Sequence, residues 1–142
     1  MNTTCLIIDD EKLARELLTE YLEPFSEIEI LGECANGIEA VEKIDKLKPD
    51  LIFLDVQMPG INGFNVLEEI DHEPYVIFTT AYDQYAIKAF EKNAVDYLLK
   101  PLDEERFRLA VNRALKQKQL EQSNIEDLLD SLRGERKASY DS

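Results

Sequence analysis

Five short apolar runs alternate with five segments of helical period, and this alternation constrains the fold more than any other feature of the chain. The runs cover residues 5–8, 28–34, 51–54, 75–78 and 95–99. After each of them, apolar residues recur three and four apart. Leu13, Ala14, Leu17, Leu18, Tyr21 and Leu22 form the first such stripe, and Ala40, Val41, Ile44 and Leu47 the second. Phe64, Leu67 and Ile70 follow, then Ala86, Ala89 and Phe90, and finally Phe107, Ala110, Val111, Ala114 and Leu115. Strict alternation of strand and helix predicts a parallel sheet with helices on both faces.

The pattern within the runs refines this. Leu51-Ile52-Phe53-Leu54 is continuously apolar, as in a strand buried on both sides, whereas Ile28 and Ile30 flank Glu29, as at a sheet edge with one wetter face. The expected fold class is therefore α/β, a flavodoxin-like (βα)5 unit, doubly wound, with a five-stranded parallel sheet in the order 2-1-3-4-5. Pro24 and Pro49 close the first two helices. Asn36 with Glu39 opens the second, and Asp103 caps the last, with Glu104 and Glu105 in its first turn. Gly60 and Gly63 bracket a loop. Beyond Leu115 the chain turns polar, and Ser123-Asn124-Ile125-Glu126 reads as a fresh capping box. It precedes a stripe of Ile125, Leu128, Leu129 and Leu132, with Gly134 as a stop. We expect a domain over 1–118 and a helical or disordered extension or linker over 119–142, with 135–142 disordered.

Charge narrows the partners. The 142 residues carry 16 Lys and Arg against 30 Asp and Glu, for a net charge of −14. Such a chain does not grip a nucleic-acid backbone or an anionic membrane by itself, and a bound cation or a basic partner suits it better. The amino-terminal apolar run is too short for a signal peptide or a membrane span. Cys5 and Cys34 have no metal-type spacing and read as buried, reduced thiols, so a cytoplasmic location is expected. His72 lies in a polar loop and reads as solvated.

Four runs deliver a reactive or polar side chain at their carboxyl ends: Asp9 and Asp10, Asp55, Thr80, and Lys100. In a parallel sheet those ends share one edge. Carboxylates crowded there repel one another unless a cation joins them, and an all-oxygen set with waters suits Mg²⁺. A carboxylate can attack phosphorus to form an acyl phosphate. A hydroxyl from Thr80 and the ammonium of Lys100 would then meet the transferred oxygens. These are the parts that phosphoryl transfer onto Asp55 requires.

The stretches 7–11 (Ile-Ile-Asp-Asp-Glu), 54–60 (Leu-Asp-Val-Gln-Met-Pro-Gly), 79–81 (Thr-Thr-Ala) and 97–101 (Tyr-Leu-Leu-Lys-Pro) occur in that order, each at an expected strand end. As a set they resemble the receiver domain of bacterial two-component response regulators, over residues 5 to about 117. Residues 78–86 and 94–101 are most similar to receivers of LytTR-type transcription regulators. The resemblance implies that Asp55 takes a phosphoryl group from a histidine kinase. It implies that Asp10 and Asp55 bind Mg²⁺ directly, Asp9 through water, and that the Gln57 backbone carbonyl adds a ligand. Thr80 and Lys100 would hold the phosphoryl oxygens, and Tyr97 would be the aromatic that turns inward once Thr80 moves. Gln57 and Tyr82 match positions that tune the lifetime of the phosphoryl group, and the Lys100–Pro101 bond is expected to be cis. A homodimer formed on phosphorylation, through the fourth helix, fifth strand and fifth helix near Tyr85, Lys88, Lys92, Tyr97 and Arg108, is likewise implied. So is DNA contact only through an output domain that nothing after Leu115 resembles. On this reading the chain catalyses only its own phosphorylation and dephosphorylation.

Three other functions share parts of this pattern. A Mg²⁺-dependent aspartyl phosphatase would carry a second acid two residues after its nucleophile, where Gln57 stands. A flavin or nucleotide carrier would need a phosphate-cradling loop after the first strand, where Asp9, Asp10 and Glu11 repel phosphate. A phosphate-independent interaction module has no use for the full set of acids, Thr and Lys. A stand-alone receiver acting by protein contacts alone is the alternative to the receiver of a transcription factor.

Overall fold

The apolar runs become strands because each can bury alternate side chains on two faces of one sheet. In the computed structural model, which describes residues 2–141 with side chains through Gly134, the strands are β1 (Thr3–Ile8), β2 (Ile28–Cys34), β3 (Leu51–Asp55), β4 (Tyr75–Thr80) and β5 (Asp96–Leu99). All neighbours pair in parallel, in the order β2-β1-β3-β4-β5. The helices are α1 (Lys12–Leu22), α2 (Gly37–Leu47), α3 (Gly63–Glu69), α4 (Ala86–Glu91) and α5 (Glu104–Asp141). This is the doubly wound, flavodoxin-like α/β architecture expected from the alternation.

The period of two explains the continuous runs. Leu6, Ile8, Ile52, Leu54, Val76 and Phe78 face one core, shared with Ala40 and Ile44 of α2, Phe64 and Val66 of α3, and Ala89 of α4. Cys5, Ile7, Leu51, Phe53 and Ile77 face the other, shared with Leu18 and Leu22 of α1 and with Phe107, Ala110 and Val111 of α5. Every residue of β3 is buried, whereas β2 at the edge is mostly half-exposed. Cys5 and Cys34 are buried free thiols, one in each core.

The caps form as expected. Asn36 Oδ1 accepts from the Glu39 amide at 2.8 Å, and Asp103 Oδ2 accepts from the Arg106 amide at 2.9 Å. A reciprocal box between Asn62 and Asn65 starts α3.

Four expectations need correction. α5 runs unbroken through residues 116–123 and past Gly134, with no new cap at Ser123. Lys116 to Gln122 are all strong helix formers, so nothing there ends the helix. Three contacts also hold its continuation on the starts of the strands. Lys118 Nζ reaches Thr3 Oγ1 at 3.2 Å and Asp50 Oδ2 at 3.5 Å, and Tyr75 donates its hydroxyl to Glu121. The expected boundary at 118/119 thus falls inside one helix. The disorder expected for 135–142 lies outside the residues whose side chains are described.

The fourth helix begins with a tight 3-10 turn at Asp83–Tyr85, which rotates the stripe that follows. Ala89 alone points into the core, and Phe90 is 82% exposed. Leu13, expected on the inner stripe of α1, is 79% exposed. Finally, the ring of His72 is half-buried, with Nε2 at 2.6 Å from the Pro49 carbonyl oxygen, rather than free in solvent.

Candidate functional site

The sheet delivers its acids to one crevice. Asp9 follows β1, Asp55 closes β3, and their carboxylates meet because those strands are neighbours in register, with Ile8 opposite Leu54. One oxygen each from Asp9, Asp10 and Asp55 lie within 4.8 Å of one another. Asp9 and Asp55 are buried, and Asp10 is exposed. The site depends on a glycine, since a Cβ on Gly63 would stand 2.5 Å from the Asp55 carbonyl oxygen. Only a residue without a side chain lets α3 approach this closely.

Lys100, in the loop after β5, closes the crevice. Its ammonium lies 2.8 Å from Asp9 Oδ2 and 3.5 Å from both Asp55 Oδ2 and Glu11 Oε1. The contact to Asp9 is the closest of the three. Asp9 is fully buried, and Lys100 is the cation that meets this oxygen. The Lys100–Pro101 peptide bond is cis, as expected.

The charges of the crevice are set by burial. Burial pushes the Asp55 carboxyl up from its ordinary value to about 7, and the neighbouring Asp9 adds to the rise, while Lys100 and the Gln57 amide work against it. Burial alone would lower the Lys100 ammonium. Asp9, Asp55 and Glu11 outweigh that, so it is held above the ordinary lysine range. Three converging carboxylates form an all-oxygen donor set, which fits a hard divalent cation. A partly protonated Asp55 is a poor nucleophile, and a cation in the crevice would free its lone pairs.

Thr80 ends β4, next to the Thr79 that pairs with Asp55. Its buried hydroxyl accepts from the Tyr82 amide at 3.2 Å. Tyr97 is half-buried on β5 and donates its hydroxyl to the Tyr82 carbonyl. The two side chains therefore meet on one peptide segment, Thr80 at its N–H side and Tyr97 at its C=O. Gln57 donates its amide to Asp55 Oδ1 at 3.3 Å, and its side chain reaches Tyr85.

Sequence reasoning thus assembled Asp9, Asp10, Asp55 and Lys100 in one crevice and placed Thr80 beside it. It missed Glu11 as a partner of Lys100, although Glu11 stands in the same acidic run. It also missed Tyr85 as the partner of Gln57, for which the sequence carries no signal.

The family model described as "Response regulator receiver domain" matches residues 5–112. The chain belongs to that family. It is 53% identical over 116 residues to an uncharacterized response regulatory protein of Vibrio cholerae, covering 80% of this chain and 49% of that one. It is also 53% identical over 110 residues to the transcriptional regulatory protein BtsR of Escherichia coli K12, covering 76% of this chain and 46% of BtsR. The chain thus spans about half the length of the curated relatives it matches. Among solved structures it is similar to the response regulatory domain of mrkE from Klebsiella pneumoniae, with a TM-score of 0.71 and 31% identity over 83% of this chain and 97% of that one. It is similar too to the receiver domain of AraT, a response regulator from Geobacillus stearothermophilus, with a TM-score of 0.74 and 31% identity over 85% and 99%.

Proposed function

We propose that the chain is a phosphorylation-controlled switch in which Asp55 accepts a phosphoryl group from the phosphohistidine of a sensor histidine kinase. The observation that carries this reading is the convergence of Asp9, Asp10, Asp55 and Lys100 at one sheet edge. An Asp55 oxygen attacks phosphorus, the donor's P–N bond breaks, and imidazole leaves as the acyl phosphate forms. Lys100 moves its charge from the carboxylates toward the new phosphoryl oxygens, and the Thr80 hydroxyl donates to one of them. Asp9, Asp10 and Asp55 are the residues that would hold Mg²⁺, Asp9 through water, with the Gln57 backbone carbonyl as a further donor. Bound there, such an ion would supply positive charge to the transferred oxygens. The chain's only chemistry is on itself.

The switch follows from the Tyr82 segment. Drawing Thr80 toward a phosphoryl group releases the Tyr82 amide, and the same segment carries the hydrogen bond that holds Tyr97. Tyr97 then turns inward and alters the surface of α4, β5 and α5, where Ile87 and Phe90 are exposed. That surface forms a homodimer on phosphorylation. The output is transcriptional, through a DNA-binding domain of the LytTR type joined by the continuation of α5. The likeness to BtsR, a transcriptional regulatory protein, over about half its length supports a transcriptional output, and the resemblance of residues 78–86 and 94–101 supports the LytTR type. The buried cysteines, whose thiols are pushed up to about 12 at Cys5 and about 11 at Cys34 by burial, support action in the reducing cytoplasm.

Incubation with a small phosphodonor and Mg²⁺ tests the reading by intact mass. One added phosphoryl group is expected, and none in Asp55→Asn. Equal modification of the two proteins would overturn it.

A further inference from the structure

We propose that Tyr85 is a positioning residue for the phosphorylation site. On this proposal it holds the Gln57 carboxamide clear of the Asp55 mouth and so lengthens the life of the acyl phosphate. The inference rests on the reading of Asp55 as the phosphoryl acceptor and adds a control over how long the group stays.

Gln57 is two residues from Asp55 and its amide donates to Asp55 Oδ1, so its side chain starts at the rim of the crevice. The residue is exposed, and nothing in its own segment fixes where its carboxamide goes. The tether comes from elsewhere. Gln57 Nε2 donates to the Tyr85 hydroxyl at 2.7 Å, across 28 positions of sequence. Tyr85 is itself held, with its ring 6.0 Å from Phe64 and 6.3 Å from Tyr82, centroid to centroid. The bond lies along an open groove of about 490 Å³, lined by Met58, Asn62, Phe64 and Lys88 as well as by Gln57 and Tyr85. The carboxamide is thus drawn into that groove and away from the carboxylates.

Its position matters because of the reverse chemistry. In hydrolysis, a water oxygen bonds to phosphorus and the acyl P–O bond breaks. The Asp55 carboxylate returns, and both water protons stay on the phosphate that leaves as dihydrogen phosphate. A free carboxamide at the rim can accept from that water and donate to a phosphoryl oxygen at once, orienting the attack. A tethered one cannot. Without the Tyr85 hydroxyl, the Gln57 side chain is released to do so.

The test is a double-mutant cycle on the lifetime of the phosphorylated chain, followed by intact mass after removal of the donor. Tyr85→Phe keeps the ring on Phe64 and removes only the hydroxyl. It is expected to shorten the lifetime roughly fivefold, the rate change that the net worth of one hydrogen bond makes. In the Gln57→Ala background the same substitution is expected to change nothing, because Tyr85 acts through Gln57. An unchanged lifetime in Tyr85→Phe, or an equal change with Gln57 absent, would overturn the proposal. The tether is also read without any phosphoryl group. The side-chain amide resonances of Gln57 should move in Tyr85→Phe, and their staying in place would count against it. Failure of the wild-type chain to take up phosphoryl, with those resonances moving, would sink the acceptor role of Asp55 and leave the contact standing.

Discussion

Asp55 owes its chemistry to where β3 ends. Burial and the adjacent Asp9 raise its carboxyl to about 7, so the crevice without a cation holds a group that is partly protonated near neutrality. A divalent cation held among Asp9, Asp10 and Asp55 would relieve that repulsion and stabilise the fold by mass action. At about a hundred times its dissociation constant the gain is about 2.7 kcal/mol, a rise in melting temperature on the order of 10 °C for a domain of this size. We predict such a rise with Mg²⁺, measured by thermal unfolding, and its loss for the most part in Asp10→Ala. An equal rise in that variant would remove Asp10 from the metal site. These carboxylates were legible in the sequence because each follows an apolar run, and a parallel sheet brings such ends together whatever the details of packing. Tyr85 was not legible. Its hydroxyl meets Gln57 through the fold of a 3-10 turn, and no spacing in the chain encodes that distance.

Among the elements, α5 carries most of what the sequence hid. Its first turns were readable from Asp103, Glu104 and Glu105 and from the stripe Phe107, Ala110 and Val111. Its continuation was not, because the contacts of Lys118 and Glu121 are with Thr3, Asp50 and Tyr75, far away in sequence. Phe90 failed for a related reason, since a stripe read at a constant period cannot anticipate the tighter turn before it. α5 is also fastened to β5 by Asp96. The carboxylate accepts two bonds from Arg106, at 2.6 and 2.8 Å, and one from Arg113 at 2.9 Å. Burial alone would raise its carboxyl, but the Arg106 bonds, the Tyr97 amide and Arg113 hold it below the ordinary carboxylate value of 3.8. A depressed carboxyl stabilises the fold fully above its unfolded value. That contribution is lost as pH falls through about 4 toward the lower folded value. The two guanidinium groups are 42% and 61% exposed, so solvent screens part of the effect. We predict that Asp96→Asn lowers unfolding stability at neutral pH by about 1–2 kcal/mol. The gap between the two proteins should narrow in urea titrations near pH 3. A gap independent of pH would mean that the charge of Asp96 is not what fastens α5.

Over the whole molecule, a net charge of −14 opposes any contact between two copies. Exposed Ile87 and Phe90 on α4 favour one, at 76% and 82% exposure. On the proposed switch, phosphorylation would add further negative charge, so a surface change transmitted from Thr80 to Tyr97 would have to outweigh repulsion. Sedimentation should therefore find a monomer before phosphorylation and a dimer after it. The dimer should tighten as salt screens the charge. The same mass in both states would contradict the switch. The sheet order, the two cores and the acidic crevice all followed from the alternation of runs and stripes, because those features depend on pattern alone. The partner surface depends on which apolar residues the helices leave outside, and only the packed molecule decides that. The proposed switch turns on one bond, an acyl phosphate at Asp55. Borohydride reduces an aspartyl phosphate to homoserine, and peptide mass spectrometry then locates the residue. The account predicts homoserine at position 55 after treatment with phosphodonor and Mg²⁺. Homoserine at position 9 or 10, or none in a chain that has gained a phosphoryl group, would contradict it.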